Sequence, residues 1–312
     1  MQIAPMSPQD IPAVAQAWTL VHDPVSHERL HDLLFGDPNY EPEAIHVAWG
    51  DDGSVLGLSA CVVRRTVEGK DGGGSERQFH RGFLKAFFVG RSAHEDEAAD
   101  GLLAAAEGYC AGAGKTEIRV TQYTGPYIHP GVDVRYDWLC EHLAGRGYRD
   151  VQTIEDVAVD LEGSEIGERL EKARRRVGSD IEMISWQPEL LSGMRAFVAE
   201  GKMPEWFPTG WESRYSERDD TTAILRRGEE IIGWAHFSPG VPCAGFGPTL
   251  VLPRERGKGY GGLLLLDCMA RAHRRGTERM RAGWANTGFY VANGWHICRR
   301  FAVFTKPLTP RP

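Results

Sequence analysis

Between Leu250 and Gly262 the chain reads Leu-Val-Leu-Pro-Arg-Glu-Arg-Gly-Lys-Gly-Tyr-Gly-Gly. Glycines at 257, 259, 261 and 262 let a backbone come close to an anion and aim successive N–H groups at it. A helix starting just after them would add free amides and the positive end of its dipole. Each helix-end contribution is worth only ~0.3 to 2 kcal/mol, so several amides would have to act together with Arg256 or Lys258. The stretch therefore suits a phosphate or diphosphate. Gly257-x-Gly259-x-x-Gly262 also has the form of a dinucleotide fingerprint, with Glu278 about 20 residues on. Four residues, Pro253 to Arg256, separate the apolar run from the first glycine, and 50 residues follow Gly262, too few for the rest of a doubly wound sheet. The chain has no G-x-x-x-x-G-K-[ST] and none of a kinase's other signatures, which disfavours nucleoside triphosphate chemistry.

The elements around this loop are legible. Leu250 to Leu252 reads as a strand, and Leu263 to Arg274 as a helix with apolar Leu263, Leu264, Leu266, Cys268 and Ala270, closed by Gly276 after cationic Arg274 and Arg275. Upstream, Ile181 to Trp186 alternates as a strand, and Pro188 to Gly201 reads as a helix opened by proline and stopped by glycine. Thr221 to Leu225 and Ile231 to Phe237 are strand-like on either side of a turn. A weak internal repeat connects the two halves. Phe87-Phe88-Val89, Gly101-Leu102-Leu103, Gly114 and Gly147-Tyr148 recur as Leu250-Val251-Leu252, Gly262-Leu263-Leu264, Gly276 and Gly294-Trp295. The offsets at the three glycines are 161, 162 and finally 147, so the first copy carries about 15 extra residues after Val120, including Gly125 to Gly131. The seam is expected at Leu161 to Gly163, after the alternating strand Val157 to Leu161, which gives domains of 1–161 and 162–312. At 312 residues the length itself favours two domains.

Arg256-Gly257-Lys258-Gly259-Tyr260-Gly261 and, downstream, Tyr290-Val291-Ala292-Asn293-Gly294-Trp295 together resemble the two spaced motifs of the GNAT superfamily of acyl-CoA-dependent N-acetyltransferases. The whole chain is similar to the tandem members of that superfamily, of which the mycothiol synthases are one group. The resemblance implies an α/β (α+β) fold of two GNAT-like domains, each a mixed, mostly antiparallel sheet flanked by helices. In the first copy the glycine loop is replaced by Arg91-Ser92-Ala93-His94-Glu95-Asp96-Glu97, whose carboxylates would repel a diphosphate, and Leu143 stands where Tyr290 does. That copy is expected to be a degenerate, structural or substrate-contacting domain. The second is expected to be catalytic.

The resemblance further implies roles for residues of the second copy. The backbone of Leu250, Val251 and Leu252 would pair with the pantetheine amides of acetyl-CoA, and a free N–H there could polarise the thioester carbonyl. Arg256, Gly257, Lys258, Gly259, Tyr260, Gly261 and Gly262 would hold the diphosphate. Tyr290, a phenol of ordinary pKa ~10 and so protonated at neutral pH, would donate a proton to the departing thiolate; a core aromatic beside Phe289 is its bland alternative. Asn286 falls where the family often has an Asn near pantetheine, and it equally suits the cap of a short helix. An acceptor amine of pKa ~10.4 costs about 4.6 kcal/mol to deprotonate at pH 7, so a base or water chain must take that proton. His236, Glu212 and Asp219 are candidates that spacing does not separate. Trp206-Phe207-Pro208 and Trp211 could wall the acceptor, and Pro126 to Asp133 could contact substrate, the partner domain or only its own domain.

Composition narrows the class. Apolar residues make up 42% and charged residues 25%, ordinary values for a folded chain. Lys plus Arg total 36 against 43 Asp plus Glu, for a net charge of −7, which disfavours nucleic acid as a partner. The basic run Lys172 to Arg176 follows Glu165, Glu168 and Glu171 at helical spacing and reads as a self-paired helix face. No apolar run approaches a membrane span and no signal-like leader is seen, so the expected location is the cytoplasm. The six cysteines are scattered without CxxC or His spacing, and buried free thiols are favoured over disulfides or a metal site. The expected activity is transfer of an acetyl group from acetyl-CoA to a primary amine, on a small-molecule acceptor rather than a protein, by direct attack in a ternary complex. No obvious nucleophilic Cys-His pair argues for a covalent route. The alternatives are a non-catalytic acyl-CoA-binding sensor and, less compatible with the acidic balance, a peptidyl transferase using aminoacyl-tRNA. A monomer or a homodimer is expected.

Overall fold

The computed structural model describes residues 1–18, 25–64, 78–123, 125–163, 165–201 and 219–309. The chain divides into two compact units, Met1–Ile154 with Arg300–Pro312, and Glu155–Arg299.

In the first unit the elements run β1 (Gln2–Pro5), α1 (Ile11–Trp18), α2 (His27–Leu34), β2 (Ile45–Trp49), β3 (Val55–Val63), β4 (Arg81–Val89), α3 (Glu95–Gly112), β5 (Glu117–Val120), β6 (Val132–Asp133) and α4 (Asp137–Gly145). Strands β1 to β4 pair antiparallel in sequence order, and β5 joins β4 in parallel through the crossover helix α3. The chain continues with β7 (Arg149–Asp160), which enters the second unit at Glu155, then α5 (Ile166–Val177), β8 (Glu182–Ser185), α6 (Leu191–Glu200), β9 (Thr222–Arg227), β10 (Glu230–Ser238), β11 (Cys243–Val251), α7 (Tyr260–Arg274), β12 (Arg279–Ala282), α8 (Thr287–Val291) and β13 (His296–Pro307), which returns to the first unit at Arg300. In the second unit β8 to β11 pair antiparallel in order and β12 joins β11 in parallel through α7. The expected doubling is therefore a doubling of topology, with mixed and mostly antiparallel sheets.

The expected boundary differs from the division of the structure. The strand that flanks β12 is the end of β7, with Asp160 opposite Arg279 and Val157 opposite Ala282. The strand that flanks β5 is the end of β13, with Phe304 opposite Val120. Each unit thus takes its last strand from the other copy of the repeat, and the chain passes from one unit to the other after Ile154 and after Arg299 rather than at 161. Alternation along Val157 to Leu161 identifies a strand but carries no information on which β edge it joins.

Helix α7 is placed by its sequence. Gly259 caps it in a left-handed conformation, Leu263, Leu264, Leu265, Leu266, Cys268, Met269 and Ala272 bury against the sheet, and Arg271, His273 and Arg274 occupy the last turn where cations favour the helix dipole. Ala270, expected on that face, is only half-buried. Pro188 opens a short 3-10 turn that leads into α6, which stops at Gly201 as expected. On α5, Arg174 pairs with Glu171 at 2.9 Å, while Ile166 and Leu170 are buried. The cysteines are unpaired, with Cys61, Cys110 and Cys268 buried, Cys140 and Cys243 half-buried and Cys298 exposed. No described helix is long and apolar enough to cross a membrane, and no group of acidic, His and Cys side chains among the described residues could hold a metal.

Candidate active site

The site forms where the sheet of the second unit parts. Strand β11 pairs with β12 only from Cys243 to Gly245, opposite Arg279 to Arg281. Beyond that point β12 ends at Ala282 and β11 continues beside β10 to Val251, so one edge of β11 is open from Phe246 onward among the described residues. The N–H of Leu252 donates to Ile232 O at 3.0 Å, and Val251 lies opposite Gly233, Leu250 opposite Trp234. Bonded and non-bonded pairs alternate along an antiparallel ladder. Leu250 and Leu252 therefore turn their backbone groups toward β10, and Val251 turns its own toward the open edge, where its carbonyl accepts from Arg256 Nε at 3.2 Å. Of the three residues expected to pair with pantetheine, Val251 alone has the required direction.

The glycine loop follows a 3-10 turn, Pro253–Glu255. Gly257 (φ +80°) and Gly259 (φ +89°) sit in the left-handed region, which only glycine adopts readily. Gly261 and Gly262 are closely packed: a Cβ there would lie 3.1 Å from a Phe289 ring atom and 3.0 Å from Asn293 Oδ1, both at the helix that carries Tyr290. Gly259 provides no side-chain cap, and the first backbone bond runs from Leu263 N to Gly259 O at 3.1 Å. The amides of Tyr260, Gly261 and Gly262 thus have no intrahelical partner, as at any helix start, and are available to an anion.

Two charged residues that sequence reasoning missed hold this loop. The buried carboxylate of Glu255 accepts from Arg227 Nη1 and Nη2 at 3.0 and 3.1 Å, from Arg254 at 3.2 Å and from Lys258 Nζ at 2.9 Å. Hydrogen bonds from Arg227, then Lys258, hold its pKa down to about 2. Arg227 also donates to the hydroxyl of buried Tyr260 at 3.0 Å and to Asp180 at 3.0 Å. Lys258, expected on the diphosphate, is thus ion-paired, and the Tyr260 side chain belongs to the support beneath the loop. The available signal was an acidic residue between two arginines in an otherwise cationic loop.

Tyr290 is 7% exposed, its ring boxed by Phe246 (6.0 Å between centroids), Phe289 (5.1 Å) and Trp295 (5.1 Å), each near edge-to-face. Its hydroxyl makes no hydrogen bond among the described residues. Burial, with a smaller contribution from Cys268, pushes its pKa up, which keeps the phenol protonated. Asn286 is exposed at the N-cap of α8; its carbonyl accepts the Phe289 and Tyr290 amides, and its side chain makes no cap bond.

The remaining candidates are less distinguished. His236 is buried on β10 with Nδ1 3.1 Å from Thr222 Oγ1. Glu212, Trp206, Phe207, Pro208 and Trp211 lie outside the described residues, as does the side chain of Asp219. Trp186, Trp234 and Trp295 are core residues. In the first unit, Pro126 to Asp133 packs within its own domain: Arg29 donates to Tyr127 O at 3.2 Å, Gln122 N to Pro130 O at 3.0 Å, and His129 stacks on Phe301 at 5.5 Å.

Residues 184–295 match the model of the acetyltransferase (GNAT) family. No curated protein matches the chain. Among solved structures, the fold is similar to the GCN5-related glucosamine N-acetyltransferase region of a fungal multi-domain GH3 β-N-acetylglucosaminidase (16% identity, TM-score 0.76), covering 98% of this chain and 38% of that one. It is also similar to a GCN5-related N-acetyltransferase from Sphaerobacter thermophilus (14%, 0.72, covering 100% and 96%) and to a tandem GNAT protein from the clavulanic acid biosynthesis pathway (14%, 0.65, covering 100% and 99%).

Proposed function

The chain carries a domain of the acetyltransferase (GNAT) family over residues 184–295, and from that premise we propose that its second unit transfers an acetyl group from acetyl-CoA to a primary amine of a small-molecule acceptor. The observation that carries the reading is the conjunction of three features at one end of the parted sheet: the open edge of β11 at Val251, the unpartnered amides of Tyr260 to Gly262, and the boxed phenol of Tyr290. Bound there, acetyl-CoA supplies an activated acyl group on a thiolate leaving group. The α7 amides and Arg256 hold its diphosphate, and the Val251 backbone extends the sheet to its pantetheine arm. Tyr290 holds a proton at Oη at neutral pH, even at its ordinary pKa of ~10, and supplies it to the thiolate as the C–S bond breaks; the proton that the attacking nitrogen sheds on becoming an amide passes through water and restores the phenol. Direct attack in a ternary complex requires no acyl-enzyme, and Cys268 is buried in α7 with its thiol pKa pushed up by burial, which makes it a poor nucleophile.

Amino sugars are the first acceptors to test, because one structural relative is described as a glucosamine N-acetyltransferase. The test is release of CoA thiol from acetyl-CoA with glucosamine and a panel of other amines, for the wild type and Tyr290→Phe. Turnover lost in Tyr290→Phe with thioester binding retained supports the reading. Thioester binding without turnover across the panel would favour a sensor of acyl-CoA instead.

A further inference from the structure

The helix that carries Tyr290 cannot hold its own position. It has five residues, Thr287–Val291, where an isolated helix needs about 12 to 15 to be even marginal, and its N-cap side chain makes no cap bond. The turn that leads into it contains Trp284 at φ +53°, a conformation that a bulky residue adopts only when its surroundings impose it. The surroundings are two consecutive carboxylates on β7. Asp156 Oδ1 accepts the Trp284 N–H at 3.1 Å, the Glu155 carbonyl accepts the Ala285 N–H at 2.9 Å, and Glu155 Oε2 accepts the Thr287 hydroxyl at 2.6 Å.

We infer that Glu155 and Asp156 are positioning residues for Tyr290, clamping the Gly283–Thr287 turn from a strand that the sequence assigns to the other copy of the repeat; as a statement about catalysis this rests on the acetyltransferase reading. The pair thus holds the turn at three points, Trp284, Ala285 and Thr287. Asp156 is buried, and its Oδ2 lies 3.5 Å from Arg281 on β12, which anchors the carboxylate to the strand from which the turn departs. Position 283 is compatible with this arrangement because it has no side chain: a Cβ on Gly283 would sit 3.3 Å from Asp156 Oδ1. At the far end of the helix, Arg169 donates to the Asn293 carbonyl. The phenol is therefore located by groups 120 to 135 residues upstream, such as the Thr287–Glu155 bond at a separation of 132. The exchanged strand completes the second unit's site as well as its sheet.

The test uses the full chain with Asp156→Ala, Asp156→Asn, Thr287→Val and Glu155→Gln. Amide hydrogen exchange is followed at 285–291, with 263–272 in α7 as internal reference, and kcat and KM are measured for the thioester. Removing a part-buried bond to a carboxylate should raise exchange at 285–291 about tenfold in Asp156→Ala and Thr287→Val, with α7 unchanged. Asp156→Asn retains an oxygen that can accept from Trp284 and should restore most of the protection, and Glu155→Gln likewise for Thr287. The kinetic counterpart is a fall in kcat with thioester KM within about twofold, since the diphosphate cradle is untouched. Unchanged exchange at 285–291 in both disruptive variants, or a rise shared equally by α7, overturns the inference. Exchange is read without substrate, so a wild type that turns over no amine would count against the acetyltransferase reading while the positioning of α8 was still decided.

Discussion

Helices α3 and α7 are the same element in two copies of one topology, each crossing from a strand to its parallel neighbour, yet their first turns have opposite electrostatics. α7 begins with left-handed Gly259 and then Tyr260, Gly261 and Gly262, with no acidic residue in its first turn. α3 begins with Glu95, Asp96 and Glu97, and Arg91 is spent on Glu95 at 3.1 Å. Carboxylates on the first turn stabilise a helix by using the positive end of its dipole internally. The first turn is filled by its own carboxylates in one copy and left without them in the other, where the proposed diphosphate site lies. The next helices diverge in the same way. Gly147 and Gly294 both turn left-handed after α4 and α8, but Leu143 is fully buried where the second copy places Tyr290 among Phe246, Phe289 and Trp295. The first unit also carries a buried Lys85–Asp37 pair at 2.6 Å, with Tyr123 and Asn39 bonded to the same carboxylate, beside its own parting of β4 and β5. Lys85, Thr121 and His129 line a hollow there, covered by residues of the inserted segment. The topology occurs twice, while the glycine loop and the tyrosine occur once.

The sharpest way to break that comparison is at the phenol. Tyr290→Phe should lower kcat by about 10² to 10⁴, the usual contribution of a general acid, with thioester affinity nearly unchanged by calorimetry. Because burial raises the Tyr290 pKa, the wild type should show no falling limb of kcat/KM from this group up to about pH 10; activity should climb with pH as the acceptor amine loses its proton. A falling limb at pH 8 to 9 that disappears in Tyr290→Phe would refute the role.

Importing the first copy's charge into the second comes next. Gly259→Glu places a side chain at φ +89° and a carboxylate at the helix start, with costs of about 1 to 2 kcal/mol and ~0.3 to 2 kcal/mol. Thioester binding should weaken about 100-fold in calorimetry, with the melting temperature a few degrees lower. Binding within threefold of wild type would mean that the amides of α7 do not hold the diphosphate.

The difference between the copies was legible in the sequence because it is written in short spacings: four glycines in six positions, a tyrosine four residues before a glycine, three carboxylates in a row. What was not legible depends on long-range pairing. The direction of the Val251 backbone depends on register with β10, including the irregularity between Ala235 and Phe237. Glu255 is supported by Arg227, 28 residues away on another strand, so its isolation between arginines had no visible partner. The exchange of terminal strands was hidden because a strand pattern such as Val157 to Leu161 does not say which sheet edge the strand joins. With the exchange hidden, so was the contribution of Glu155 and Asp156 to Tyr290.

Glu255 offers the smallest effect and the finest test of how the second copy keeps its loop in place. Its folded pKa is depressed, to about 2, by hydrogen bonds from Arg227 and Lys258, so the stability it contributes is complete above its ordinary value of ~4.5 and is lost as pH falls toward 2. Glu255→Gln cannot titrate, and its urea midpoint should decline less steeply than that of the wild type between pH 4.5 and 2. At neutral pH the substitution releases Lys258, which bears on affinity in two opposing ways. A freed ammonium half-exposed at the loop gains attraction for a diphosphate, while a loop no longer tied to Arg227 loses preorganisation. Preorganisation outweighs the freed charge if the cradle works through several aligned amides, because they share one backbone and are lost together, whereas one exposed cation contributes on the order of 1 kcal/mol. The expected net result is thioester affinity weakened about three- to tenfold. A gain in affinity would show that Lys258 is the dominant contact and that the contrast between α3 and α7 is one of side-chain charge rather than of backbone.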